Sequence, residues 1–302
     1  MNNNELIREI TRLRKEKDAV ILAHNYQRGE IQDIADFVGD SLGLSKEAAK
    51  LSCKIIVFCG VDFMAETAKI LSPEKIVLLP RKEASCPMAG MITREKLLEL
   101  KAKYPEAKVV SYVNTTAEVK AESDVCCTSS NALKVVQNID AKKIIFVPDR
   151  NLASYVSRFT DKEIIPYDGY CYVHEKFRAE DIKTAKRIYP EAKVFVHPEC
   201  RPEVIDLADE VASTGGMVKL AQLSKAKRFI IGTEEGLIYR LKKENPEKEF
   251  FSAGPARICI NMKLITLEDV YLSLKEERYK VEIEDVIRIR AKKAINEMLK
   301  YV

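Results

Sequence analysis

The hexapeptide YPEAKV occurs at residues 104–109 and again at 189–194, which sets a spacing of 85 residues within a chain of 302. A self-match at fixed offset constrains a fold more than local propensity does, because whatever one copy forms the other must form too. Each copy runs into a short β-like segment, VVSYVN and VFVHPE, and the N-terminal VILAHNY joins them as a third when the first offset is widened to 88. Asp36, Asp124 and Asp209 keep those offsets, as do Ser41, Ser129 and Thr214. A second apolar run follows in each copy, KIIVFCG, KIIFVPD and RFIIGTE, then a helical stretch, then a third run, KIVLLP, EIIPYD and EFFSAG.

Short Ile/Val/Phe-rich runs separated by amphipathic helical segments are the pattern of parallel strands covered on both faces. The sequence therefore predicts an α/β protein of three pseudo-threefold-related αβα sandwich domains with short parallel sheets and an active site at their central junction. The first repeat, with an N-terminal helix, is expected over 1–103, the second over 104–188, and the third, with a Lys-rich C-terminal helix, over 189–302.

With 46% hydrophobic and 32% charged residues the chain has enough apolar material for several small cores. No apolar run approaches the roughly 20 residues that span a bilayer, and no signal-peptide pattern opens the chain, so a cytoplasmic, membrane-free protein is expected. The formal charge of +4 is spread over mixed Lys/Glu helical faces such as REKLLELKAK, which gives nucleic-acid binding no support. Eight cysteines without an export signal point to reduced thiols rather than a disulfide framework.

One cysteine follows the third run of each copy: Cys86 in RKEASCPMAG, Cys171 in YDGYCYVHEKF and Cys259 in PARICINMK, at offsets of 85 and 88. Loops beyond the carboxyl ends of parallel strands are where α/β proteins bind ligands, so symmetry gathers the three thiols at one centre. Three thiolates without a fourth suit an iron–sulfur cluster with one open iron, or a zinc ion with an exchangeable ligand; either is a Lewis acid. Cys53 and Cys59 in or beside an apolar strand, Cys126 and Cys127 at a helix-to-loop segment, and Cys200 after HPE are read as core or surface thiols, with Cys200 close enough to the strand-end motif to leave its role open.

Polar residues recur at the end of the first strand: His24-Asn25-Tyr26, Tyr112-Val113-Asn114 and His197-Pro198-Glu199. The third histidine, His174, lies three residues after Cys171, so every histidine of the chain maps to the same cavity. Histidine titrates near neutral pH, and Glu199 with Tyr26 or Tyr112 would complete acid–base relays. GDSLGLSKE, TSSNALK and STGGMVKL each place Ser, Thr or Gly where a helix begins. Such residues are first of all N-caps, but three helix N-termini aimed at one cavity would bind an anionic substrate.

The stretches ILAHNYQ, IQDIADFVGDSL, VNTTAEVKA, CTSSNA, GYCYVHE, VHPEC, STGGM and CINMKLITLEDV together resemble the quinolinate synthase family over essentially the whole chain. The resemblance implies condensation of iminoaspartate with dihydroxyacetone phosphate to quinolinate, phosphate and water, in NAD biosynthesis. It implies a [4Fe-4S] cluster held by Cys86, Cys171 and Cys259 with one iron open, on a triangle of three αβα domains. It also implies catalytic roles for Tyr26, Tyr112, His197 and Glu199, and substrate contacts from His24, Ser41, Asn114, Ser129, His174, Lys176, Thr214 and Met262. Coupling to an aspartate-oxidising enzyme that supplies iminoaspartate is a further implication. Two departures stand out: Tyr167 occupies a position where many relatives carry tryptophan, and no second cysteine lies close to Cys259, so no local disulfide control is expected there. A zinc lyase or hydrolase, or a thiol-based metal sensor, remains the alternative on the same scaffold.

Overall fold

The computed structural model describes residues 1–301. Three four-stranded sheets are built in chain order: β1 (Ala19–His24), β2 (Phe37–Gly39), β3 (Ile55–Cys59) and β4 (Ile76–Leu78); β5 (Lys108–Tyr112), β6 (Val125–Cys127), β7 (Lys143–Val147) and β8 (Glu163–Pro166); β9 (Lys193–Val196), β10 (Glu210–Val211), β11 (Arg228–Gly232) and β12 (Glu249–Ser252). Their orders are β2-β1-β3-β4, β6-β5-β7-β8 and β10-β9-β11-β12, and every pairing within them is parallel. The same topology three times over is the expected α/β triplication. The central strands pair in full register, for example Ile21 with Val57 and Val110 with Phe146, and these side chains are buried. Continuous burial of both strand faces is what the near-unbroken Ile/Val/Phe runs require.

The second strand of each sheet was not marked by an apolar run, because two or three residues are too few to show periodicity. Cys126 and Cys127 accordingly lie in β6 and not at a helix-to-loop segment. The repeated aspartates explain how these short strands are held. Asp36 accepts the N–H of Ile21 at 2.8 Å, Asp124 that of Val109 at 2.8 Å and Asp209 that of Val194 at 2.7 Å. In return the backbone N–H of each aspartate donates to the carbonyl of the same strand residue. Each aspartate thus clasps the entry of the second strand to the first. Asp124→Ala, which leaves the buried Val109 N–H unpaired, is expected to cost about 1–3 kcal/mol, read as a lowered urea midpoint. An unchanged midpoint would remove the clasp.

The hexapeptide that reveals the repeat is itself an α-to-β turn. At Tyr104 and Tyr189 the preceding helix ends with nearly the same geometry, φ −129° and ψ 67° against φ −126° and ψ 70°. Ser72, before Pro-Glu-Lys, and Asn245, before Pro-Glu-Lys, end their helices the same way, with φ/ψ of −125°/69° and −137°/68°. The proline cannot continue the helix and restricts the residue before it, so one local sequence stops four helices.

Chain ends cross between units. The C-terminal helix, Asp285–Met298, packs on the helix Ala117–Ala121 and on β6, while Leu267–Glu276 packs on the N-terminal helix Asn3–Glu16. Glu122 secures the first contact: buried, it accepts from Arg290 at 2.6 Å and from Arg94 at 2.8 Å. Among the described residues, no helix is long and apolar enough to cross a membrane.

Candidate active site

Cys86, Cys171 and Cys259 each lie in the loop after the last strand of a sheet, and a single 3-10 turn begins three residues beyond each: Ala89–Met91, His174–Lys176 and Met262–Leu264. The turn brings the N–H of Ala89, His174 and Met262 back onto the respective sulfur, which favours the thiolate. All three cysteines line one cavity at the junction of the sheets. Burial pushes the three thiols upward, and the electrostatic influence of Cys259 on Cys86, and of both on Cys171, adds to it. Three soft donors lining one cavity, two of them with ionisation opposed by the neighbouring cysteines, fit a thiophilic metal centre. Binding it there would release their protons.

The cavity wall comes from the carboxyl ends of the first strands. His24 closes β1, Tyr112 closes β5 and His197 follows β9. In the order β2-β1-β3-β4 the chain leaves β1 toward one edge and β3 toward the other, so this end of the first strand is the switch point at which α/β sheets open a crevice. Three such crevices meet, and His24, Tyr26, Ser41, Tyr112, Asn114 and Ser129 face the cavity with His197, Glu199, Thr214 and Met262.

Behind that wall the titratable groups touch. His174 and His197 stack with ring centres 4.5 Å apart, and Glu199 Oε2 lies 2.7 Å from His174 Nδ1 and 3.2 Å from His197 Nδ1. The approach to His174 is close but off the line of a hydrogen bond, and Glu199 Oε1 has no protein partner. His174 Nε2 and the Tyr26 hydroxyl meet at Thr233 Oγ1, at 2.9 and 2.6 Å. Burial works to raise the Glu199 carboxyl, but the two imidazoles outweigh it and hold the group below the ordinary carboxylate range. Burial lowers His197 against the opposing pull of the Glu199 carboxylate, and lowers His24 to about 4, leaving His24 neutral. Burial and then the Glu199 charge raise Tyr26 and Tyr112 well above the usual phenol value. Glu199 is therefore an acceptor, and the tyrosines are phenols that donate hydrogen bonds. The amide oxygen of Asn114 is buried without a protein partner.

Residues 8–300 match the family model described as NadA, Quinolinate synthetase A protein. The chain is 56% identical over 299 residues to quinolinate synthase of Geobacter sp. (strain M21), covering 99% of this chain and 98% of the relative. It is 54% identical over 297 residues to quinolinate synthase of Pyrococcus abyssi (strain GE5 / Orsay), covering 98% and 99%. The chain belongs to the quinolinate synthase family.

For a member of the quinolinate synthase family, the structure brings together ten of the twelve non-cysteine residues singled out from sequence. His174 is fully buried one layer back, against Glu199 and Thr233. Lys176 does not line the cavity itself; its Nζ lies 5.3 Å from the ring centre of Tyr172, which does. The helix starts also differ from the expectation. Helices begin at Ser41 and Thr214, but the second begins at Ala132 with Asn131 before it, so Ser129 is carried by a turn. Asn131 Oδ1 takes the N–H of Thr128 at 2.7 Å and its amide donates to Met298 O, which uses that residue as the hinge of the turn.

Two groups were missed. Thr233, at the end of the third unit's second apolar run, joins Tyr26 to His174 and carries no sequence signal of its own. Asp40 caps the helix at Ser41 through the Gly43 N–H, and its other oxygen accepts from Ser130 at 2.7 Å and Ser213 at 3.0 Å. It ties together the three units beside the cavity; its place directly before Ser41 was the available signal.

Proposed function

We propose that the chain condenses iminoaspartate with dihydroxyacetone phosphate to quinolinate, releasing inorganic phosphate and two water molecules, with a [4Fe-4S] cluster on Cys86, Cys171 and Cys259. The observation that carries this reading is the meeting of three cysteine loops and a Glu199-centred proton relay on one cavity. When bound, the cluster supplies an open iron as Lewis acid toward a substrate oxygen and assists loss of hydroxide.

The chain's own residues supply the rest. Ser41 and Thr214 at helix starts, with the Ser129 turn, line the cavity, and the N–H groups of such starts suit the carboxylates of one substrate and the phosphate of the other. The unpartnered Asn114 oxygen and Glu199 Oε1 accept hydrogen bonds from substrate N–H or O–H groups. Glu199, held ionised, takes a proton, and Tyr26 and Tyr112, held as phenols, donate to developing negative charge on oxygen. His174, pinned between Glu199 and Thr233, orients the carboxylate. Because iminoaspartate hydrolyses readily in water, a functional partnership with an aspartate-oxidising enzyme follows, in the cytoplasm.

Anaerobic purification tests the reading: a brown protein with about four iron per chain that forms quinolinate from the two substrates is expected. A colourless zinc protein, or an iron protein that makes no quinolinate, would overturn it and return the zinc or sensor alternatives.

A further inference from the structure

Each unit carries one more acidic residue that belongs to neither the cavity wall nor the strand clasp. Asp62, Asp149 and Glu234 follow β3, β7 and β11, at equivalent places in the three sheets. Asp149 and Glu234 are fully buried, Asp62 half so. Each accepts a hydrogen bond from the start of the next helix: Phe63 N–H to Asp62 Oδ1 at 2.8 Å, Leu152 N–H to Asp149 Oδ1 at 2.7 Å and Gly236 N–H to Glu234 Oε2 at 2.7 Å. At Asp149, the N-cap of its helix, ordinary capping accounts for that half; Asp62 is the first residue of its helix and Glu234 precedes the N-cap, and each holds an N–H of the first turn.

It does not account for the other half. The backbone N–H of Cys86 donates to Asp62 Oδ1 at 3.1 Å, that of Cys171 to Asp149 Oδ2 at 3.2 Å and that of Cys259 to Glu234 Oε1 at 3.1 Å. All three loops make the bond, although they differ in length and sequence, and although the third copy needs a glutamate to make it. The backbone N–H of each cysteine is thus held by a carboxylate that also holds the first turn of a helix. The peptide leading into each ligand is therefore tied to a helix start, and all three cysteines line the cavity.

We propose that Asp62, Asp149 and Glu234 are positioning residues for the metal centre, each setting one ligand cysteine through its backbone N–H. The inference rests on the three-cysteine reading above. Groups that orient metal ligands typically contribute about 10-fold to 100-fold in metal retention.

The hydrogen-bond pattern makes the test specific. At Asp62 one oxygen takes both N–H groups, so asparagine keeps both bonds; at Asp149 the two oxygens are used separately, so asparagine keeps only one. The measurement is the rate at which an iron(II) chelator strips the reconstituted protein, beside thermal unfolding of the metal-free form. Asp62→Asn is expected within about 2-fold of wild type, and Asp149→Asn and Asp62→Ala faster by about 10-fold or more, with a fall in metal-free unfolding temperature no larger than one or two lost hydrogen bonds bring. Equal rates for Asp62→Asn and Asp149→Asn would overturn the proposal, as would a loss of iron matched by an equally large fall in the unfolding temperature of the metal-free protein. Wild-type protein that binds no iron would instead sink the three-cysteine reading itself.

Discussion

Replacing Cys86, Cys171 or Cys259 by alanine is expected to strip the metal centre and reduce quinolinate formation by about 10³-fold or more, since an open Lewis-acid metal contributes several kcal/mol to a barrier. The protein should remain folded. The three cysteines sit half-buried on loops, and none belongs to a strand or supplies a capping bond through its side chain. No other thiol can take the vacated place. Cys59, Cys126 and Cys127 are locked in strands, Cys53 packs in the first unit's core, and Cys200 is fully buried with its sulfur turned to Gly232 O. None of the five lines the cavity. Iron per chain, visible absorption and circular dichroism on the same samples decide the matter: an alanine variant with full iron content and normal turnover would dismiss that cysteine as a ligand. Serine variants sharpen the result, because an alkoxide donor keeps the geometry and loses the softness that thiolate brings to iron.

How far the sequence already told this story differs by level. Triplication was legible because each copy must build its own sheet, so Ile/Val/Phe runs, strand-end polar residues and loop cysteines recur at fixed offsets. The marker that exposed it, YPEAKV, proved to be a local helix stop also used before β4 and β12, which is why it pointed to the right spacing without marking a boundary of the sheets. Asp36, Asp124 and Asp209 were visible as a register and opaque as to purpose; only the pairing geometry shows them clasping strands. Contacts between units left no spacing signal at all. Thr233 and Tyr26 are 207 positions apart in the chain yet their hydroxyls meet, and His174 reaches Glu199 from a different unit's loop. Periodicity reports which face of an element is buried, not which neighbour buries it. Asp62, Asp149 and Glu234 form the intermediate case: a repeat on the page, hidden because an acid after a strand reads first as a cap.

Glu199→Gln is expected to lower turnover by about 10²–10⁴-fold while leaving the metal centre intact, the range for loss of a positioned acid–base group. The amide has the shape of the carboxylate, and the contacts of the Glu199 backbone, including Asn151 Nδ2 to its carbonyl at 3.0 Å, do not involve the side chain. What disappears is the negative charge between two stacked imidazoles. That charge does two things here: it is the acceptor facing the cavity, and after burial it is the next cause keeping Tyr26 and Tyr112 in the phenol form. Glutamine removes the first and weakens the second only modestly, since burial dominates the tyrosines. The defect should therefore fall on the proton-transfer steps, with kcat reduced far more than KM is raised. His174→Asn, which keeps a polar side chain beside Thr233 but no longer orients Glu199, should give a smaller loss of the same kind. Equal turnover in Glu199→Gln and wild type would exclude Glu199 as the acceptor and move the proton relay to His197, the imidazole beside it on the cavity wall.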